Sequence, residues 1–228
     1  MKANIPSLII YILAAAAALI FSLIGDNLLL TYAKAIVVSS AFIYYFITNN
    51  YKIEITKIII FILSFIGEII VLLESKNAIV IMIFCFLSVY SILLKNIVND
   101  FLKMKIQKKD FTNILVSTIL IILLIVMVLS LKLEKVDFSF SIFVVYAIVI
   151  GLLCVLSTIS YIKKNTSVFL NLVLMAYCFL ISDIFFVLNY FYLSLSALHA
   201  TAVLTQVLSY FFMVRYFLER DKEALIKQ

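Results

Sequence analysis

The sequence predicts an all-α fold, a polytopic transmembrane helix bundle of about eight spans that forms one integral membrane domain over residues 1–228. Composition is the first reason: 66% of the 228 residues are hydrophobic and the mean hydropathy is +1.25, as expected of a chain whose solvent is lipid. The second is the scarcity of helix breakers, only 3 Gly and 1 Pro. A bilayer offers backbone groups no water, so each span must satisfy its own hydrogen bonds, and long uninterrupted helices suit that better than the frequent turns of a barrel. The third is recurrence: apolar runs of roughly 20 residues, enough helix to cross a hydrocarbon core about 30 Å thick, repeat along the chain. No composition shift, Ser/Pro-rich linker or internal repeat marks a second domain.

The first run, near 6–24, continues into Gly25 and Asp26 without a small-x-small cleavage pattern, so it is expected to persist as a span. The second lies near 28–47. The third and fourth, near 57–73 and 78–94, are short enough to form a tight hairpin around "ESKN". Next comes "KNIVNDFLKMKIQKKDFT", where lysines are mixed with Phe101, Leu102, Met104 and Ile106, a segment that reads first as an ordinary solvated basic loop and otherwise as an amphipathic stretch on an anionic leaflet. The remaining spans fall near 113–131, 138–162, 168–189 and 195–217.

Charge provides an independent check. Eight spans put both termini on one side, and that side collects 14 of the 18 basic residues, among them Lys52, Lys57, Lys95, Lys163, Lys164, Arg215 and Arg220. The opposite side holds Lys76, Lys132 and Lys135, and Lys34 sits within a span. By the positive-inside rule both termini are expected in the cytoplasm. Orientation explains the net charge of +6 better than nucleic acid does. Cys85, Cys154 and Cys178 fall in apolar runs without CxxC spacing and read as small hydrophobes. The aromatics, 20 Phe and 13 Tyr, read as lipid contacts and interfacial anchors.

Ionisable residues within spans are costly and by default mark function. Three stand out: Lys34 in the second span, Glu68 in the third ("SFIGEII") and Asp183 in the seventh ("FLISDIFFVLNYF"). Counted from the ends opposite the cytoplasm, each lies roughly 8 to 9 Å deep at the helical rise. A common depth predicts a shared polar cavity, with the lysine between two carboxylates and an acid and a base side by side. In the eighth span His199, Gln206 and Tyr210 share one face, which should point into the bundle. Asp26, Asn171 and Asn189 lie near span ends and read as caps or interface residues. There is no P-loop, GxGxxG, GxSxG or HExxH, and one histidine cannot build a multi-histidine metal site, so metal catalysis is not expected.

The seventh span resembles the signature of the YhhN-like lysoplasmalogenase family, a Ser-Asp pair followed by an apolar run and an Asn-aromatic-Phe close: Ser182, Asp183, Asn189 and Phe191. Gly67 and Glu68 match the family's Gly-Asp pair, and Lys34 its second-span lysine. The sequence departs from the family at Glu68, where aspartate is usual, at Tyr90, where a histidine is expected, and in the last span, where Gln206 precedes Tyr210. The resemblance covers about residues 28–217 and implies a multi-pass protein of a bacterial inner membrane. It further implies hydrolysis of the vinyl ether bond of a lysophospholipid substrate to a fatty aldehyde and a glycerophospho-ethanolamine or -choline. Asp183 and Glu68 are then the expected catalytic pair, and Lys34, Ser182, Asn189, Gln206 and Tyr210 the expected substrate-binding residues. An intramembrane acid pair with a lysine also fits a proton-coupled transporter, and the same polar residues fit a non-catalytic bundle.

Overall fold

A computed structural model describes residues 4–73, 77–102, 111–130 and 140–226. The described residues form eight α-helices and no strand: α1 Ile5–Ile24, α2 Asn27–Thr48, α3 Ile55–Ile69, α4 Ala78–Phe101, α5 Phe111–Leu129, α6 Phe140–Lys164, α7 Ser167–Phe191 and α8 Ser196–Ile226. A 3-10 turn, Ile70–Leu73, extends α3. Six of these helices, α1, α2, α4, α6, α7 and α8, are long and apolar enough to cross a membrane. By the same measure α3, with 15 residues, falls short and the apolar part of α5, Ile114–Leu129, is shorter than a span.

Local sequence sets the helix ends. Gly25 adopts a left-handed conformation (φ 83°) that ends α1, its N–H bonding to the Phe21 carbonyl, and the Asp26 side chain then accepts from the Leu29 N–H to cap α2. Two residues thus reverse the chain, as the cap reading of Asp26 expected. The helices α4 and α8 outrun their expected spans, to Phe101 and Ile226, because both continue as mixed polar helix after hydropathy falls. Residues 74–76, 103–110 and 131–139 lie outside the described residues, and with them Lys76, Lys132, Lys135 and most of the amphipathic segment.

The helices neighbour one another in a closed ring, α1, α2, α3, α4, α6, α7, α8 and back to α1, with α8 also reaching α2 and α5 lying outside against α6. Residues that face the ring interior are buried, among them Val37, Ile60, Leu93, Leu153, Leu172 and Met213. Large apolar residues such as Leu13, Ile24, Leu120 and Leu123 face outward. Large exposed apolar side chains on six helices of spanning length are what lipid contact requires. Polar atoms within the bundle tie helix to helix: Tyr11 donates to the Val207 carbonyl (α1 to α8), and Ser182 to the Ala202 carbonyl at 2.9 Å (α7 to α8). Gly67 permits the close approach of α3 and α4, since a Cβ there would lie 3.0 Å from the Phe86 ring.

Antiparallel neighbours define two ends. The lower end holds the start of α1 and the close of α2 and α8, and Asn4 donates to Thr48 across it at 3.1 Å. The upper end holds Gly25, the 3-10 turn and the beginnings of α4 and α8.

Candidate functional site

Two carboxylates occupy the bundle interior, each with its own partners. Glu68, near the upper end of α3 and only 4% exposed, receives the Lys34 ammonium from α2 at 2.9 Å on Oε2. Its other oxygen, Oε1, accepts from the Tyr210 hydroxyl of α8 at 2.6 Å. A buried carboxylate is tolerated only when paired and hydrogen-bonded, and here both oxygens are engaged. Lys34 keeps 20% of its side chain exposed, against 3% for Glu68.

Asp183 on α7 is half-buried and accepts from two phenols, Tyr90 of α4 at 3.0 Å and Tyr146 of α6 at 2.9 Å. Both donate to the same oxygen, Oδ2, and neither engages Oδ1. Tyr90 is fully buried, whereas half-buried Tyr146 also lines a cleft of about 60 Å³ between α5, α6 and α7. Apart from Tyr146 and Asp183 the cleft is walled by aliphatic and Phe side chains such as Leu124, Ile125, Phe143, Ile150 and Val187. The surface of the cleft is almost wholly apolar, so Asp183 and Tyr146 border it without opening their polar atoms into it.

Aromatic rings join the two carboxylate sites. Tyr90, partner of Asp183, packs edge-on to Phe179 at 5.1 Å, and Phe179 packs edge-on to Tyr210, partner of Glu68, at 5.9 Å. The buried Phe179 ring therefore stands between the two hydroxyl donors. The expected grouping of Lys34 between both carboxylates takes a different form: Lys34 pairs with Glu68, and phenols serve Asp183.

Other sequence-predicted residues are distributed more widely. Ser182 is buried and its hydroxyl is committed to the Ala202 carbonyl, which makes it an α7–α8 contact. Gln206 and Asn189 are half-buried, Gln206 one turn above Tyr210 and Asn189 near the upper end of α7. Asn171, expected as a cap, instead donates to Glu219 of α8 at 2.9 Å.

Sequence reasoning missed Tyr146 and misassigned several tyrosines. Tyr45, Tyr90 and Tyr216 are among the largest fully buried side chains, where lipid and interface contacts were expected, whereas Tyr210 is buried as its inward-pointing face on the eighth span predicts. It also counted Lys57 as a loop cation, whereas Lys57 is 4% exposed and bonded to Asp221. Among the described residues no group of three or more His, Cys, Asp and Glu side chains is placed to hold a metal ion.

No family model, curated protein or solved structure matches the chain.

Proposed function

We propose that the protein is an eight-span hydrolase of the bacterial inner membrane that cleaves the vinyl ether bond of lysoplasmalogens, with both termini in the cytoplasm. The observation that carries the reading is the Asp183 carboxyl group, held by Tyr90 and Tyr146 beside an aliphatic cleft. A cleft of about 60 Å³ takes only a few carbons, so in this reading the vinyl ether end of a single-chain lipid lies beside Asp183 and the rest of its chain lies outside the cleft. The eight-span count is supported by α3 and its 3-10 extension, which together reach about 30 Å at the respective rises per residue, near the hydrocarbon thickness.

The chemistry follows from the substrate. Asp183 gives its proton to the alkene carbon remote from the ether oxygen, leaving an oxocarbenium ion at the other carbon. Water adds there and loses its proton to a carboxylate. The hemiacetal then splits, one product leaving as the aldehyde and the other keeping its oxygen as the glycerol hydroxyl. Glu68, whose negative charge Lys34 balances, suits the role of base, and Asp183, which faces two neutral phenols, suits that of acid. Lys34, partly exposed, is also the cation nearest to hand for the lipid phosphate. Tyr210 orients Glu68, and Gln206 and Asn189 offer polar contacts toward the upper end. The reaction needs no cofactor.

A transporter would draw on the same ionisable residues, and the aliphatic character of the cleft favours the lipid substrate over a polar solute. The test is incubation of the purified protein with a lysoplasmenyl lipid in 18O-labelled water. Release of aldehyde with no label in the glycerol hydroxyl is expected. Absence of aldehyde from ethanolamine and choline forms alike would overturn the proposal, and label in the glycerol product would overturn its mechanism.

A further inference from the structure

The Lys34–Glu68–Tyr210 cluster has a counterpart lower on the same three helices. Asp221 of α8 accepts from Lys57 of α3 and, at 2.6 Å, from the Tyr45 hydroxyl of α2. Asn49 adds a contact to Asp221 at 3.0 Å, and Glu54 a second one to Lys57 at 3.3 Å. Each cluster is a lysine, a carboxylate and a tyrosine, one from each helix, with the roles permuted. The spacing is the same in all three helices: 34 and 45, 57 and 68, 210 and 221 are each eleven residues apart. Eleven residues is three turns to within about 20°, so the two clusters face the same seam, roughly 16 Å apart along the axis.

Between the clusters the seam is closed by Val38, Ala41, Ile60 and Phe217, with one exception. Ser64 lies on the same face of α3, four residues from Glu68 and seven from Lys57, and is fully buried with no hydrogen-bond partner for its hydroxyl. Other buried serines have a partner: Ser40 bonds to the Val37 carbonyl and Ser157 to the Cys154 carbonyl of their own helices, and Ser182 to the Ala202 carbonyl of α8. An unpartnered hydroxyl midway between two polar clusters is a step at which water can be held.

The lower cluster also belongs to a plug. Three consecutive residues of α8 reach three directions: Glu219 to Asn171 of α7, Arg220 to Asp100 of α4 at 3.1 Å, and Asp221 to α2 and α3. Together they close the lower end of the helix ring.

We propose that the α2/α3/α8 seam is a gated water passage leading from the lower end past Ser64 to Glu68, and that the Lys57–Asp221–Tyr45 cluster is its gate, closed in this structure. The use of that water in hydrolysis rests on the function proposed above. The passage itself does not, and it is tested without substrate.

The experiment reads labelling of Ser64→Cys by a membrane-impermeant thiol reagent in sealed vesicles of both orientations, with the parent chain as background for its three native cysteines. With the gate intact, labelling from the lower side is slow. Adding Asp221→Asn removes a charge-assisted contact and should raise labelling from that side about tenfold or more, with no rise from the other side. The charge-swapped pair Lys57→Asp with Asp221→Lys should return it toward the parent rate, which separates a gate from general loosening of the fold. Unchanged labelling in Asp221→Asn, equal rises from both sides, or no recovery in the swapped pair would each overturn the proposal.

Discussion

Replacing Lys34 by methionine tests the electrostatics of the upper cluster. Glu68 has 3% of its side chain exposed and loses in that variant the cation it pairs with among the described residues, and stranding a buried carboxylate in this way costs about 3–5 kcal/mol in a fully enclosed site. Two features of the site reduce the figure. Tyr210 continues to donate to Oε1 at 2.6 Å, and the lysine side chain it replaces was 20% exposed, so the expected loss is about 2–3 kcal/mol. Glu68→Gln leaves a lysine that can turn toward the surface and should cost less, about 1–2 kcal/mol. The double variant then loses less than the sum of the two, with a coupling of about 1.5–2 kcal/mol. Reversible unfolding in mixed micelles at increasing fractions of anionic detergent measures all four proteins. Effects that add to within about 0.5 kcal/mol would refute a buried ion pair at this position.

Other substitutions separate packing from chemistry. Lys57→Met strips Asp221 of a partner whose side chain is 5% exposed and should cost about 3 kcal/mol, while Arg220→Gln, breaking a pair exposed at 31% and 27%, should cost about 1 kcal/mol or less in the same unfolding assay. Ser182→Ala removes a buried contact to the Ala202 carbonyl and should lower stability by about 1 kcal/mol, with the turnover rate for a lysoplasmenyl lipid kept. Gly151→Ala sets a methyl 2.4 Å from Ile125 Cδ1, a flexible tip on the cleft wall that must turn away. It should shift stability by about 1 kcal/mol or less while raising KM and sparing kcat.

The parts of the fold fixed by the bilayer were legible in the sequence, because a helix that crosses lipid must be apolar over its whole length. The starts of α1, α2, α4 and α7 fall within a residue of the expected runs for that reason. The closing turns of α4 and α8 were not legible, since a helix that leaves the apolar zone can continue with charged residues and hydropathy no longer reports it. In the site, the pairing of Lys34 with Glu68 was visible as a common depth. That Asp183 takes two phenols rather than the lysine as its partners was not, because depth says nothing about position around a ring. Tyrosine was the least readable residue: the same side chain anchors at an interface or donates to a buried carboxylate, and only the packing of α4 and α6 distinguishes Tyr90 and Tyr146 from surface anchors, whereas the face shared with His199 and Gln206 already points Tyr210 inward. Lys57 was hidden by its place near a span boundary, although its distance of eleven residues from Glu68 was present in the sequence.

The most direct measurement compares aldehyde release from a lysoplasmenyl lipid by the wild-type protein and by an Asp183→Asn variant of equal thermal stability. An amide cannot supply the proton to the alkene carbon, so the wild type should release aldehyde and the variant should fall to background. Release by the variant at the wild-type rate would contradict Asp183 as the proton donor, and with it the central role of the cleft alongside.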